Sequence, residues 1–208
     1  MIIIIIILLI TWYVLLKPRK KKASVAIVLT TSVNDDPKRK SIYVDRINKY
    51  LQFTKVNLYI VESSGYTFPE YEGNPRIKVY SFKGEKKGNS SEMELDSLTK
   101  IIDHYNLWSY DIVLKITGKY YIPNIEHILN LITDDIDIVL QNTRNGSSQN
   151  SEIFGARPKY YKKLNEFVQQ KRIFEDSIPL LRGKRYRLPK IYLKDFTERG
   201  DGSVLKIL

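Results

Sequence analysis

The sequence has no cysteine. Disulfides, thiolate metal sites and a cysteine nucleophile are excluded, and the absence fits a reducing compartment. Histidine is scarce as well. His104 and His127 are the only two, too few for a histidine-built metal centre. There is no long basic block and no nucleic-acid-binding motif, so nucleic acid is not expected as a partner. No internal repeat is found. No apolar run reaches the roughly 20 residues of an ordinary membrane-spanning helix.

What is present describes one globular domain. The chain has 208 residues, 43% of them hydrophobic and 27% charged. That balance supports a single buried core rather than a disordered chain. The net charge of +11 points to an anionic partner: a phosphate-bearing small molecule or a lipid surface. Five of the positive charges, Lys17, Arg19, Lys20, Lys21 and Lys22, follow directly on the apolar N-terminus.

That N-terminus, "MIIIIIILLITWYVLL", is apolar over residues 1–16 apart from Thr11. As a helix it would be about 24 Å long, a short span for a hydrocarbon core of about 30 Å. Trp12 and Tyr13 suit a membrane interface. A basic n-region and a small-residue cleavage site are lacking, which favours an uncleaved anchor over a signal peptide. Residues 17–23 then read as a basic juxtamembrane linker and 24–208 as the folded domain. Positive charge after the span places that domain on the cytoplasmic side. Asn89 and Asn145 open N-x-[ST] sequons that would suit the luminal side. The expectation is a single-pass membrane protein leaning cytoplasmic, with luminal orientation open.

Beyond the linker, apolar runs alternate with helical periodicity. Ser24–Leu29 reads as a strand covered on both faces. "DPKRKSIYVDRINKYLQF" has helical spacing, with Asp36 and Pro37 as its start. "VNLYIVESSG" and "RIKVYSF" read as strands. "SSEMELDSLTKIIDHY" reads as a helix capped by Ser90 or Ser91, with Glu94 completing a capping box. "YDIVLKITGKYY" is a fourth strand, "NIEHILNLI" a short helix and "DIDIVLQN" a fifth strand. "RPKYYKKLNEFVQQ" and "FEDSIPLL" read as helices, and "RYRLPKIYL" as a late extended segment. Alternation of this kind predicts an α/β domain with a mostly parallel, Rossmann-like sheet.

In such sheets ligands lie beyond the carboxyl ends of the strands. The predicted tips carry Thr30, Thr31, Ser32 and Asn34; Glu62, Ser63, Ser64 and Gly65; Thr117, Gly118, Lys119 and Tyr120; and Gln141 to Thr143. Hydroxyls, amides, one carboxylate and one cation gather there. They are groups that hydrogen-bond sugars and bases and neutralise a diphosphate. Asp135-Ile-Asp137 is formally an Asp-x-Asp, but it precedes a strand and reads as a turn at the opposite end. Asp111 likewise reads as structural.

Several of these segments, in this order, resemble glycosyltransferases of the GT-A nucleotide-sugar fold. They are the strand leading to "TTSVN", "IVESSG", "GNSSEMELDSL", "YDIVLKITGKYY", "SEIFGARPKYY" and "FEDSIPLL". The pattern is closest to a loose group of small bacterial and large-virus proteins with a K-[IL]-[TS]-G-[RK]-Y strand tip. The resemblance runs from about Val25 to Leu193. It implies a GT-A-like domain that moves a sugar from a nucleotide-sugar donor to a glycan, lipid-linked or protein acceptor. It also implies that Thr30, Thr31 and Ser32 lie against the nucleotide and that Glu62 contacts the nucleoside. Where the family carries its metal-binding Asp-x-Asp, this chain has Thr117, Gly118 and Lys119, so a divalent metal is not expected.

In place of a metal, the ammonium of Lys119, with Tyr120 as hydroxyl donor, would stabilise the departing diphosphate. Lys115 falls on the same side of the strand. As a charge within an apolar strand it needs a carboxylate partner, such as Glu62 or Glu92. Gly118 would admit a close backbone approach to the ligand. The base that takes the acceptor proton is Glu152, Glu175 or Asp176. The rival expectations are a catalytically inactive module that tethers a glycan or partner at a membrane, and a basic membrane-surface protein.

Overall fold

The structure is a computed structural model that describes residues 20–84, 90–141, 151–169 and 173–188, with the backbone of 197–198 and 204–205. The apolar segment 1–16, the first part of the basic linker, the asparagines of both sequons and residues 189–193 of the late extended segment lie outside the described residues. Among the described residues no helix is long and apolar enough to cross a membrane.

Seven strands form one sheet: β1 (Val25–Thr31), β2 (Leu58–Glu62), β3 (Ile77–Ser81), β4 (Ile112–Thr117), β5 (Ile138–Leu140), β6 (Ile153–Ala156) and β7 (Arg185–Arg187). Their order is β3-β2-β1-β4-β6-β5-β7. All run parallel except β6, which is antiparallel to both β4 and β5. The expectation of a mostly parallel α/β sheet therefore holds, with one strand, β6, that the sequence reading did not assign and that runs reversed. A separate two-stranded hairpin, β8 (Thr197–Glu198) with β9 (Val204–Leu205), follows.

The helices cover both faces. α1 (Pro37–Phe53) and α3 (Ile125–Leu131) pack on the side lined by Ile27, Leu29, Leu114 and Ile116. α2 (Ser90–His104), α4 (Pro158–Gln169) and α5 (Phe174–Ser177) pack on the side lined by Ala26, Val28, Val113 and Phe154. β1 and β4 are buried on both faces, so their sequences run apolar without alternation, as parallel central strands do. α1 starts where expected: Asp36 Oδ1 accepts the N–H of Lys38 at 2.9 Å and of Arg39 at 3.3 Å.

The domain begins earlier than the predicted linker boundary. Lys22 bridges to Thr133, and the Ala23 N–H donates to the Ile132 carbonyl at 3.0 Å. Lys20 pairs with Asp135 at 3.1 Å. Residues 20–23 are thus docked on the turn between α3 and β5. That turn carries the formal Asp-x-Asp. Asp135 binds Lys20 and Lys184, and Asp137 binds Arg157 at 2.8 Å, at the amino end of β5. As expected, it braces a turn.

Candidate functional site

At the carboxyl end of the sheet the two faces differ. Pairing of β1 with β4 places Val28 opposite Lys115 and Thr30 opposite Thr117. These residues, with Phe154 of β6, face α2 and α5. Because β6 is reversed, its beginning reaches this edge, and the Thr117 N–H donates to the Glu152 carbonyl at 2.9 Å.

Lys115 is the centre of this polar cluster, with 1% of its surface exposed. Its ammonium pairs with Glu94 at 2.7 Å, donates to Thr117 Oγ1 at 3.0 Å and to the Ser151 carbonyl, and lies 5.8 Å from the Phe174 ring centroid. Three acceptors use all three N–H groups of an ammonium. Lys115 therefore ties together β4, α2 and the entry to β6, and has no donor left for a phosphate. Its partner is neither Glu62 nor Glu92. Glu94 turns inward instead of completing a capping box, and the same oxygen accepts Thr30 Oγ1 at 3.1 Å.

Two of the three predicted bases border this cluster. Glu175 accepts Ser151 Oγ at 2.6 Å. α5 is set by its first residue, Phe174, whose N–H donates to Ser91 Oγ at 3.1 Å. Glu152 is half-buried, and its Oε2 is a fully enclosed oxygen without a hydrogen-bond partner among the described residues. Enclosed carboxylate oxygens are normally satisfied, so one without a partner singles out Glu152 for attention. Asp176 is exposed and stands apart from these contacts.

The remaining predicted residues are used differently. Glu62 is 0% exposed. Oε1 accepts the Val33 N–H at 2.8 Å and Ser64 Oγ at 2.5 Å, and Oε2 accepts the N–H groups of Ser64 and Tyr66, each at 2.8 Å. Four donors fill this carboxylate, which clamps the loops after β1 and β2 instead of facing a nucleoside. Thr31 is buried and donates to the Val61 carbonyl at 3.0 Å. Ser32 is half-buried, and its carbonyl accepts from Arg39 at 3.4 Å.

Gly118 has a packing reason. A Cβ there would lie 2.5 Å from Thr31 Cγ2, 3.0 Å from the Thr30 carbonyl oxygen and 3.3 Å from the Tyr43 ring. The close backbone approach that the glycine permits in this structure is to β1 and α1. Tyr120 is 2% exposed and its ring belongs to the α1-side core, so it is not presented as a surface donor. Lys119 is half-buried at the rim. Its ammonium lies 5.4 Å from the Tyr120 ring centroid, and its carbonyl accepts Arg46 Nε at 3.2 Å.

The predicted set thus divides. Thr30, Lys115, Thr117, Glu152 and, through Ser151, Glu175 converge on the α2–α5 side. Thr31, Glu62, Gly118 and Tyr120 are built into the fold. Sequence reasoning assigned no inward role to Glu94, although its place three residues after Ser91 on an apolar-faced helix was visible. Tyr161 closes the base of the cluster: it donates to the Val113 carbonyl at 2.8 Å. Burial, and then the charge of Glu94, hold its phenol well above the ordinary range. Among the described residues no group of three histidine or acidic side chains is arranged to hold a metal ion. A cleft of about 690 Å³ opens alongside, between α2, α4 and the end of β3, lined by Lys83, Glu92, Asp96, Lys100, Asn165 and Gln169.

The sequence matches no protein family and no curated protein. The fold is matched by solved structures. A protein assigned as a nucleotide-diphospho-sugar transferase from Desulfovibrio desulfuricans G20 superposes with a TM-score of 0.51 at 14% identity, over 80% of each chain. The bifunctional glycosyltransferase WbbM, in its apo form, superposes with a TM-score of 0.50 at 11% identity, over 78% of this chain and 37% of its own. At these identities the likeness establishes a shared α/β fold.

Proposed function

We propose that the protein is a glycosyltransferase that uses a nucleotide-sugar donor and deprotonates its acceptor with Glu152. The observation that carries this reading is the enclosed, unpartnered Oε2 of Glu152 at the carboxyl end of the sheet. The shared fold with two transferase structures supports the donor class. In the reaction, an acceptor hydroxyl oxygen bonds to the anomeric carbon as the bond from that carbon to the diphosphate oxygen breaks. The hydroxyl proton passes to Glu152, and the nucleoside diphosphate leaves with the electron pair. Thr30 and Thr117 line the approach, and Glu94 and Lys115 hold the strand ends in register.

Lys119 lies outside the Glu94–Lys115 network, and we assign to it the diphosphate charge. The tip sequence Thr117-Gly118-Lys119 supports a reaction without a divalent ion, because it offers a cation where the related fold offers metal ligands. Residues 1–16 serve as membrane attachment, with the domain leaning to the cytoplasmic side. The acceptor is a glycan, a lipid-linked molecule or a protein.

The test uses the full chain in detergent with a chelator present. Nucleoside diphosphates should raise its melting midpoint, and donor turnover should proceed. Lys119→Ala should weaken nucleoside diphosphate binding more than nucleoside binding. Equal weakening of both would remove Lys119 from its role. One observation favours a second reading, an inactive binding module at a membrane: Lys115 and Glu62, both expected to touch the donor, are fully used inside the fold. Nucleotide binding without turnover across a donor panel would support that module.

A further inference from the structure

The chain enters the sheet at the end opposite the candidate site. Lys20 to Ala23 lead into β1 at its amino end, where Lys22 bridges to Thr133. β1 has seven residues, so this entry lies about 23 Å from the strand tips. The entry edge combines two properties.

The first is apolar. α1 and α3 both end near this edge, and each ends on an exposed large hydrophobic residue. Phe53 is 62% exposed and Leu131 37%. Leu131 is followed by Ile132, whose carbonyl accepts the Ala23 N–H. The Lys55 N–H donates to Glu126 at 2.7 Å, which brings the end of α1 against α3.

The second is charge. The acidic groups of this edge each hold a partner: Asp111 holds Ser24, Asp134 the Lys21 N–H, Glu126 the Lys55 N–H, Asp135 Lys20 and Lys184, and Asp137 Arg157. Lys21, Lys22 and Lys55 are exposed and have no ion pair among the described residues. The outward face thus presents lysines without ion pairs, with apolar residues set among them. That combination suits the boundary between anionic headgroups and acyl chains. The covalently adjacent segment 1–16 is itself apolar.

From this placement we infer that the amino-end edge of the sheet, around Lys21, Lys22, Lys55, Phe53 and Leu131, rests on an anionic lipid surface. The strand tips then point away from the bilayer. The inference does not depend on catalysis, but it rests on the membrane attachment proposed above.

The absence of cysteine makes the test direct. The full chain carries a single bimane label at Phe53→Cys or at Ser41→Cys. Both lie on α1, twelve residues apart, or about 18 Å. Each labelled chain is mixed with vesicles of equal parts phosphatidylcholine and phosphatidylserine containing brominated acyl chains. The label at position 53 should be quenched and the label at position 41 should not. The quenching should fall in high salt and with K21E/K22E/K55E, while the chain still sediments with the vesicles. Quenching at both positions, at neither, or at position 41 alone overturns the surface. Equal quenching at position 53 in pure phosphatidylcholine overturns the requirement for anionic headgroups. Failure to sediment with either vesicle overturns membrane attachment as well.

Discussion

At the amino ends of the strands, Asp111, Asp135 and Asp137 each hold a cation or an N–H group; at the carboxyl edge of the sheet, Glu152 keeps an enclosed oxygen with no hydrogen-bond partner among the described residues. Both edges are polar, and both carry acidic residues near strand termini. The difference is satisfaction. The aspartates are braces whose energetic work is complete in the folded chain. Glu152 is incomplete until a proton or a hydroxyl reaches it. Between these extremes lies Lys115, which is at the functional edge but fully satisfied. Position at a strand tip is therefore not enough to mark a ligand group; an open valence is also needed.

The sharpest way to break the comparison is to remove charge at each edge in turn. Glu152→Gln should lower donor turnover by roughly 10²–10⁴-fold with little change in melting midpoint. Asp135→Asn should leave turnover unchanged. Similar losses in the two variants, measured as transfer rate, would erase the distinction.

A second variant addresses the satisfied cation. Lys115→Met strands Glu94 without its counter-charge. Because Glu94 keeps some solvent contact, the loss of stability should fall at the low end of about 3–5 kcal/mol. The double variant K115M/E94Q should recover most of it in urea unfolding. No recovery would mean that Lys115 matters for packing and not as a partner of Glu94.

A smaller effect is expected at the strand tip. Gly118→Ala must fit a methyl group 2.5 Å from Thr31 Cγ2, and should cost about 1–3 kcal/mol. A neutral result would show that the turn relaxes freely and that the glycine serves something else.

The smallest effect concerns pH and belongs to the braced edge. The Ser24 N–H, opposed by burial and helped by the Ser24 hydroxyl and Arg157, holds the Asp111 carboxyl below its usual range. Burial pushes Asp137 up, but the Lys184 N–H and Arg157 outweigh it and bring it below as well. A carboxyl lowered in the folded state contributes stability that is present above its unfolded pKa of about 4 and is lost as pH falls below that. The urea midpoint should therefore decline on acidification from pH 5, and D111N should flatten the decline. An unchanged slope would show that these aspartates do not drive it.

Much of the fold was legible because it is local. The buried runs of β1, β2 and β4, the periodicity of α1 and the Asp36 cap each lie within a short window of sequence. The reversal of β6 was not legible. Its four residues, Ile153–Ala156, follow a polar loop and look the same in either direction; only pairing with β4 fixes it. The site was half legible for the same reason. Strand tips named Thr30, Lys115 and Thr117, and chain order named Glu152 and Glu175. The partner of Lys115 was missed because Glu94 also satisfies a capping pattern, and only the docking of α2 on the sheet chooses between the two uses. Glu62 looked like a ligand because nothing in "IVESSG" shows that four donors will converge on it.

Gly118 constrains what this strand tip can become. A side chain at that position would collide with Thr31, so the middle of the Thr117-Gly118-Lys119 triplet is fixed. Any variant that acquires a pair of metal-binding carboxylates here has to place them at 117 and 119 and leave the residue between untouched. T117D/K119D, with Gly118 kept, should therefore gain affinity for manganese in calorimetric titration.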